Sequence, residues 1–166
     1  MSSIEVDNKK ILIFSATYNE SGNISELIHS IFDHNNKVHT LFIDDNSPDK
    51  TSDIINKLKI KYKNINLIIR KQKLGLDSAH KEAYNFALEK NFDYLITMDA
   101  DLSHDPREIN NFIHNLAEYP FVIGSRYVEG GKCEMKGYRL FLSYFGNKFI
   151  KFILKSKCSE FTTSYR

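Results

Sequence analysis

Two aspartates, Asp99 and Asp101, follow a short apolar segment, residues 94–98, that has the composition of a buried strand. They stand two positions apart, and in an extended chain side chains at that spacing point to the same side. Paired carboxylate oxygens are ligands that Mg²⁺ and Mn²⁺ prefer. The spacing therefore predicts a divalent-cation site, whose cation would bridge diphosphate oxygens. A solvated turn leading into the helix after Asp105 is the alternative interpretation of this triplet.

Polar residues follow the other predicted strands as well. Tyr18 and Glu20 come after the first strand, and Asp44 and Asp45 come after the second. A tyrosine ring can stack against a nucleobase, and carboxylates can accept hydrogen bonds from a base or a ribose. The alternative interpretations are a helix cap for the first pair and an Asx turn for the second. Because parallel strands end at one edge of a sheet, we expect these groups to converge there.

Short apolar segments alternate with amphipathic segments along the chain. Strands are predicted near residues 11–14, 41–43, 67–69, 94–98 and 121–123, and helices near residues 24–32, 51–63, 79–87, 105–116 and 139–155. Asp105 has the residue type of an N-cap, and Pro106 that of a first helical position. The regular alternation predicts an α/β fold with a mostly parallel, doubly wound central sheet flanked by helices.

The 166 residues are enough for one domain, predicted to span residues 1–166. The chain contains neither a GxGxxG nor a P-loop motif, which disfavours nicotinamide, flavin and kinase chemistry. Cys133 and Cys158 form no CxxC motif and are typical of a reducing compartment. No apolar segment approaches the roughly 20 residues that cross a bilayer. We therefore expect a cytosolic protein, or one that lies on a membrane surface without spanning it.

Charge is distributed unevenly along the chain. Residues 126–166 carry nine Lys or Arg and three Glu, a net charge of +6, so the remaining residues carry −4 of the total of +2. An acidic body repels a phosphate backbone, which disfavours nucleic acid as a partner. The basic end instead indicates a partner that has a charged group near it.

The predicted last helix combines a basic and an apolar face. Lys148, Lys151 and Lys155 share one face by their spacing, and the other face carries Phe141, Phe145, Phe149, Phe152 and Ile153. This pattern suits a membrane interface, but it equally suits a core-facing helix with a solvated lysine face. We predict that residues 132–158 form a basic amphipathic segment that faces the acceptor or the membrane.

Several motifs of this chain resemble those of family 2 glycosyltransferases. They are residues 17–20 (TYNE), 44–49 (DDNSPD), 98–104 (MDADLSH) and 124–127 (GSRY). Farther along, Arg139, Ser143, Asn147 and residues 163–166 resemble the dolichol- or polyprenol-phosphate mannosyltransferases within that family. The resemblance runs from Ile11 to the last residue.

The resemblance implies a GT-A fold and an inverting hexosyltransferase. Its donor would be a nucleotide sugar such as GDP-mannose, its acceptor a polyprenyl or dolichyl phosphate, and its cofactor Mg²⁺ or Mn²⁺. Such an enzyme would lie peripherally on the cytosolic face of a membrane. The implied catalytic residues are Asp99, Asp101 and Arg126. The implied nucleotide contacts are Ala16, Tyr18, Glu20, Ile43, Asp45, Asp99, Ala100 and Asp101. The implied metal ligands are Asp99, Asp101 and Ser103, and the acceptor phosphate would be held by Arg126, Arg139 and Ser143.

The chain departs from the family pattern at Ala16, where relatives have Pro, and at Glu160, where Asp is usual. Relatives also continue past the terminal Tyr-Arg, so we expect a C-terminally truncated form. Two alternatives remain open from the sequence. One is transfer of the sugar to a glycan hydroxyl, and the other is a non-catalytic domain that binds a nucleotide sugar or a membrane.

Overall fold

The structure is a computed structural model that describes residues 9–128, 131, 136–156 and 158–166. The chain divides into two compact units, Met1–Pro120 and Phe121–Arg166. Parts of the predicted segment 132–158, and of the loop before it, lie outside the described residues.

The first unit is built on a parallel sheet of four strands in the order β3-β2-β1-β4. The strands are β1 (Ile11–Thr17), β2 (His39–Asp44), β3 (Ile65–Ile69) and β4 (Tyr94–Thr97). β1 lies between its neighbours with Leu12 opposite His39 of β2 and Phe14 opposite Thr97 of β4. The first four strands predicted from the apolar segments are thus confirmed.

The helices between these strands are α1 (Ile24–His34), α2 (Thr51–Lys61) and α3 (Leu76–Glu89), and after β4 come a 3₁₀ helix (Pro106–Glu108) and α4 (Ile109–Leu116). The chain moves from β1 to β2 to β3 in one direction and then returns to the far side of β1. Because crossovers between parallel strands are right-handed, α1 and α2 cover one face of the sheet and α3 covers the other.

Both faces of the sheet are buried. Leu12 and Phe14 of β1 pack against Ala79 and Ala83 of α3, whose small side chains allow the helix to approach the sheet closely. On α1, the side chains at helical spacing are fully buried: Ile24, Leu27, Ile28 and Ile31. This burial explains why the strands read as continuous apolar segments in the sequence.

The order of the strands creates a switch point between β1 and β4. The chain leaves β1 toward one side of the sheet, whereas β4 lies on the other side. In open α/β sheets, ligands bind in the crevice outside the carboxyl ends of the strands at such a point. The segments beginning at Tyr18 and at Met98 leave the sheet here, which places two of the predicted motifs on neighbouring strand ends.

The second unit contains α5 (Gly137–Leu154), as the sequence predicted. The predicted fifth strand at residues 121–123 is wrong, since the structure has no strand there. A short apolar segment becomes a strand only when a neighbouring strand forms backbone hydrogen bonds with it. The adjoining Gly124 instead donates its N–H to the carbonyl of Tyr165 at 2.9 Å, near the end of the chain. In the described parts of the chain, no helix has the length and apolar character needed to cross a membrane.

Candidate functional site

Asp99 and Asp101 leave the carboxyl end of β4 in a tight turn. The N–H of Ser103 donates to Oδ1 of Asp101 at 3.0 Å, and its hydroxyl hydrogen-bonds the same carboxylate. Leu102 has a φ of +63°, a left-handed conformation that non-glycine residues adopt rarely. The turn then ends at Asp105, whose carboxylate caps the 3₁₀ helix by accepting from the N–H of Arg107 at 2.9 Å. The predicted N-cap is confirmed.

The electrostatics of this turn keep Asp101 ionised. Partial desolvation by itself raises the pKa of the Asp101 carboxyl. The hydrogen bonds from Ser103 and the proximity of His104 outweigh that effect, so the pKa lies below its ordinary value. Asp101 is therefore a carboxylate at neutral pH, which is the form that binds a cation.

The residues of this turn fit a hard divalent cation that takes most of its ligands from elsewhere. Among the described residues, no three His, Cys, Asp or Glu side chains group together as a complete metal site. The side chain of Asp99 is 41% exposed and so remains accessible at the edge of the sheet. A cation such as Mg²⁺ is commonly held by one or two carboxylates together with substrate phosphates and water. Ser103, predicted as a third ligand, donates to Asp101 in this arrangement.

Tyr18 lies directly after β1 with its side chain partly exposed. The ammonium of Lys73 lies 3.7 Å from the centroid of the Tyr18 ring, a cation–π contact. Lys73 belongs to the segment after β3, so the segments after two strands meet over this ring. The structure thus places an aromatic surface, already in contact with a cation, at the carboxyl edge of the sheet.

Glu20 organises the start of α1. Its carbonyl accepts from the N–H groups of Asn23 and Ile24, and its carboxylate accepts from the side chain of Asn23 at 2.8 Å. The N–H of Glu20 also donates to the Thr51 hydroxyl at 2.9 Å. These contacts form the turn before α1, whose N-cap is Asn23 and has no side-chain cap hydrogen bond. A contact of Glu20 with a nucleotide stays a prediction.

Asp44 links β1 to the loop that follows β2. Its carboxylate accepts from the N–H of Ser47 at 2.8 Å and from the Thr17 hydroxyl at 2.8 Å, and Asp44 is fully buried. This carboxylate therefore joins β1 to the loop after β2. The hydrogen bond from Ser47 spans three residues and an Asx turn spans two, so Asp44 does not form the predicted Asx turn. That geometry is found at Asp49, whose Oδ1 accepts from the N–H of Thr51 at 3.1 Å.

Asp49 ties the loop after β2 to the loop after β1. Its carboxylate accepts from the N–H of Ser21 at 2.9 Å and from the hydroxyl of Thr51 at 2.6 Å. Desolvation raises the pKa of Asp49, but the hydrogen bonds from Thr51 and Ser21 outweigh it and lower the pKa to about 2.

Asp45 has a buried carboxylate that is occupied on both oxygens. Oδ1 accepts from Nη1 of Arg70 at 2.9 Å. Oδ2 accepts from the N–H groups of Leu74 and Gly75 at 3.2 and 3.0 Å. Asp45 therefore holds the segment after β3 against the end of β2. A nucleotide contact by Asp45, as predicted, would share this carboxylate with the protein's own donors.

Arg70 connects Asp45 to α3. Its side chain is 4% exposed, and it donates from Nε to Glu82 at 3.1 Å and from Nη1 to the Ser78 hydroxyl at 2.7 Å. A guanidinium with several fixed donors suits this bracing role. Its signal in the sequence is an arginine placed directly after an apolar strand.

The remaining predicted nucleotide contacts lie in the sheet and its turn. Ile43 is 1% exposed in the core, Ala16 packs against the same core cluster, and Ala100 is buried between the two aspartates. Their small or apolar side chains shape the edge of the sheet. Contact of these residues with a nucleotide stays a prediction.

In the second unit, Arg126 pairs with Glu160. Nε of Arg126 donates to Oε2 at 3.1 Å, and Nη2 donates to Oε1 at 2.9 Å. The Glu160 side chain is fully buried. Burial raises the pKa of Glu160, yet the hydrogen bonds from Arg126 and Thr162 outweigh it and hold the pKa below its usual value. Arg126 therefore makes its ion pair with Glu160. Glu129, the partner that the sequence offers nearby for a surface ion pair, lies outside the described residues.

Ser143 and Arg126 belong to one hydrogen-bond network. The hydroxyl of Tyr127 donates to the Ser143 hydroxyl at 2.8 Å, and the Thr162 hydroxyl lies 3.2 Å from Nη2 of Arg126 and 3.5 Å from the Ser143 hydroxyl. Two of the three predicted phosphate-binding residues are therefore brought together. Arg139 lies exposed near the start of α5, and no contact of its side chain is described.

Asn147 lies buried at the centre of this hydrogen-bond network in the second unit. Its amide donates to Oε1 of Glu160 at 3.1 Å, and its carbonyl oxygen accepts from the N–H of Phe161 at 2.6 Å. Asn147 is 3% exposed although most of α5 is exposed. Its signal in the sequence is an asparagine among the apolar and basic residues of the predicted last helix.

Comparison with known proteins identifies the family. Residues 13–166 match the profile described as "Glycosyl transferase family 2". The chain is 31% identical to a polyprenol monophosphomannose synthase of Mycolicibacterium smegmatis over 95% of this chain and 61% of that protein. It is 29% identical to an undecaprenyl-phosphate mannosyltransferase of Micrococcus luteus over 95% of this chain and 65% of that protein. The chain thus spans less than two thirds of the length of these curated relatives.

A solved structure supports the fold. The chain resembles the mannosyltransferase PcManGT from Pyrobaculum calidifontis, solved in complex with GDP-Man and Mn²⁺, with a TM-score of 0.57 and 19% identity over 70% of this chain and 34% of that one. At this identity the likeness concerns the fold alone, and it confirms the predicted GT-A architecture. Because the family match covers all but the first twelve residues, the chain belongs to glycosyl transferase family 2.

Proposed function

We propose that this chain is the donor-binding part of an inverting mannosyltransferase that moves mannose from GDP-mannose to a polyprenyl or dolichyl phosphate. The observation that carries the proposal is the pair Asp99 and Asp101 at the carboxyl end of β4, beside the switch point of the sheet. The two relatives named above are polyprenyl-phosphate mannose enzymes by name, which supports the choice of sugar and acceptor.

Asp99 and Asp101 would hold Mg²⁺ or Mn²⁺ with their carboxylates. When bound, such a cation neutralises the charge that develops on the departing nucleoside diphosphate. Tyr18 would stack on the base, with Lys73 either displaced from the ring or turned toward the phosphates. Asp45 and Arg70 would keep the segment beneath the nucleotide in place, since their contacts form without a ligand.

A phosphate oxygen of the acceptor would attack the anomeric carbon of the mannose while the bond to the nucleoside diphosphate breaks, which inverts the configuration at that carbon. A lipid phosphate is an anion at neutral pH and needs little help from a general base. Arg126, Arg139 and Ser143 would bind this phosphate, because guanidinium groups suit phosphate oxygens. Glu160 would orient Arg126 through their two-point pair.

The acceptor is a membrane lipid, so the proposed enzyme works at a membrane surface, on its cytosolic face. Along α5, aromatic side chains are exposed to between 52% and 81%: Tyr138, Phe141, Phe145, Phe149 and Phe152. Lys148 and Lys151 are exposed on the same helix, and Lys155 is exposed at its C-cap. Exposed aromatic and basic side chains on one helix are typical of an interfacial helix. Their exposure in the described chain supports the membrane interpretation over the core-facing one.

Calorimetric titration tests the donor site. We expect GDP-mannose to bind in Mn²⁺ and to lose most of its affinity in EDTA, with UDP-glucose binding more weakly under both conditions. Asp101→Asn should remove the Mn²⁺-dependent part, whereas Asp33→Asn, an exposed carboxylate near the end of α1, should not. Equal binding with and without metal in the wild type would refute the assigned site.

A transfer assay tests the acceptor. Incubation with GDP-mannose carrying a radioactive sugar and a polyprenyl phosphate should move label into the organic phase. Transfer to a free glycan in place of the lipid would instead favour the hydroxyl-acceptor alternative. Donor binding without transfer to either acceptor would reduce the proposal to a donor-binding domain.

A further inference from the structure

The side chain of His104 folds back over the turn that begins at Asp99. The backbone N–H of Asp99 donates to Nδ1 of His104 at 2.9 Å. A ring nitrogen that accepts a hydrogen bond carries no proton, so the proton of the neutral imidazole is on Nε2. Nε2 lies 3.7 Å from Oδ2 of Asp99. One imidazole therefore lies against both the backbone and the carboxylate of the same aspartate.

The turn has a conformation that needs such support. Leu102, between Asp101 and His104, lies in the left-handed region with a φ of +63°. Residues held in that region persist only where the surrounding contacts determine them. The contacts within the turn include the Ser103 hydrogen bonds to Asp101 and the His104 contacts with Asp99. His104 thus closes the turn across its full length.

The residues that follow His104 are held in place by a helix cap and by burial. The next residue, Asp105, caps the 3₁₀ helix, and Pro106 and Ile109 behind it are buried. The His104 side chain is 14% exposed, compared with 41% for Asp99. The imidazole is therefore the less exposed partner, and the Asp99 carboxylate lies farther out toward solvent.

We propose that His104 is a positioning residue that holds Asp99 for divalent-cation binding through its contacts with the Asp99 backbone and carboxylate. The inference rests on the proposed function, because it assumes that Asp99 is a metal ligand. Groups that orient a ligating side chain commonly change metal affinity by 10- to 100-fold when they are replaced. His104 would act through Asp99 and would not coordinate the metal itself.

The test measures Mn²⁺ binding directly, by the electron paramagnetic resonance signal of free Mn²⁺ in the presence of GDP. We expect His104→Ala to weaken Mn²⁺ binding by about 10- to 100-fold. His104→Asn should restore most of the affinity, because its amide oxygen can take the place of Nδ1 as acceptor for the Asp99 N–H. His114→Ala removes an exposed histidine on α4 and should leave Mn²⁺ binding unchanged.

Other outcomes would overturn the inference in distinguishable ways. Unchanged Mn²⁺ affinity in His104→Ala would refute His104 while leaving the metal site intact. Rescue by His104→Gln and not by His104→Asn would indicate a role for Nε2, such as direct coordination, and would refute the positioning role. No Mn²⁺ binding by the wild type would remove the proposed function and this inference together. The folding of each variant is checked by a melting curve from circular dichroism. If His104→Ala is unfolded, the Mn²⁺ affinities of His104→Asn and His104→Gln decide whether His104 is a positioning residue.

Discussion

Arg126 and Glu160 form a two-point ion pair in which the arginine donates from Nε at 3.1 Å and from Nη2 at 2.9 Å to a fully buried carboxylate. They are 34 residues apart in the sequence, and their pair joins the segment after residue 120 to the end of the chain. Asn147 and Thr162 donate to the same carboxylate. Among its described residues, the second unit therefore has a buried polar centre that includes Glu160 and Asn147.

Replacing Glu160 by Ala should destabilise the second unit strongly. The change leaves the Arg126 guanidinium and the Asn147 amide without their common acceptor. Loss of one partner of a buried pair typically costs about 3 kcal/mol or more. Urea unfolding, followed by the circular dichroism of α5, measures the effect. The matched control is Asp93→Ala, which breaks exposed contacts with Lys9 and Lys10 and should destabilise the chain much less. Similar losses from both variants would contradict the assigned role of Glu160.

Asp45→Ala should loosen the segment after β3. This change removes the acceptor for the N–H groups of Leu74 and Gly75 and for Arg70. Lys71 and Lys73 in that segment are exposed, so trypsin can cleave there once the segment detaches. Limited proteolysis with mass spectrometry should show faster cleavage after these lysines than in wild type. Asp77→Ala, an exposed aspartate in the first turn of α3, should cleave at the wild-type rate.

The lowered pKa of Asp49 predicts a pH-dependent contribution to stability. Its pKa falls from 3.8 to about 2 in the folded chain. A carboxyl with a depressed folded pKa stabilises the fold above its unfolded pKa, and that contribution is lost as the pH falls through the folded value. Asp49→Ala should therefore lower the melting temperature at pH 7 by roughly 2–4 °C. The difference from wild type should shrink between pH 4 and pH 2.

The control for this experiment is Asp53→Ala, which removes an exposed carboxylate from the first turn of the same helix. Because this side chain is exposed, the change should lower the melting temperature at pH 7 less than Asp49→Ala does. A difference for Asp49→Ala that persists unchanged at pH 2 would contradict the hydrogen-bonded carboxylate.

Replacing Lys148, Lys151 and Lys155 together by Gln should weaken binding to anionic vesicles. Each lysine near an anionic surface contributes about 1 kcal/mol, so the triple change should lower the partition coefficient by roughly 100-fold. Co-sedimentation with vesicles that contain phosphatidylglycerol measures the change. Lys57, Lys61 and Lys63, exposed on or just after α2, provide a control that removes the same charge. Equal losses from both triples would indicate a net-charge effect and not an interfacial helix.

The elements of the first unit could be predicted from local patterns. Apolar segments at residues 11–14 and 41–43 became β1 and β2, and the apolar spacing from Ile24 to Phe32 became α1. Burial on both faces of a parallel sheet requires continuous apolar strands, and an amphipathic helix needs one apolar stripe. Residues that are close together in the sequence meet these requirements, so the sequence alone determined these strands and this helix. The strand predicted at residues 121–123 was wrong because a strand also needs a neighbouring strand, and the local sequence does not specify one.

The sequence also determined the residue types of the candidate site, because carboxylates at strand ends suit a cation and arginines suit a phosphate. Only the tertiary structure decided which groups hold one another. Asp45 is committed to Arg70 and to two backbone N–H groups, His104 to Asp99, and Glu160 to Arg126. Except for the contact of His104 with Asp99, these pairs join residues at least 25 positions apart. A hydrogen bond depends on distance and direction in space, and for such pairs the fold alone sets both.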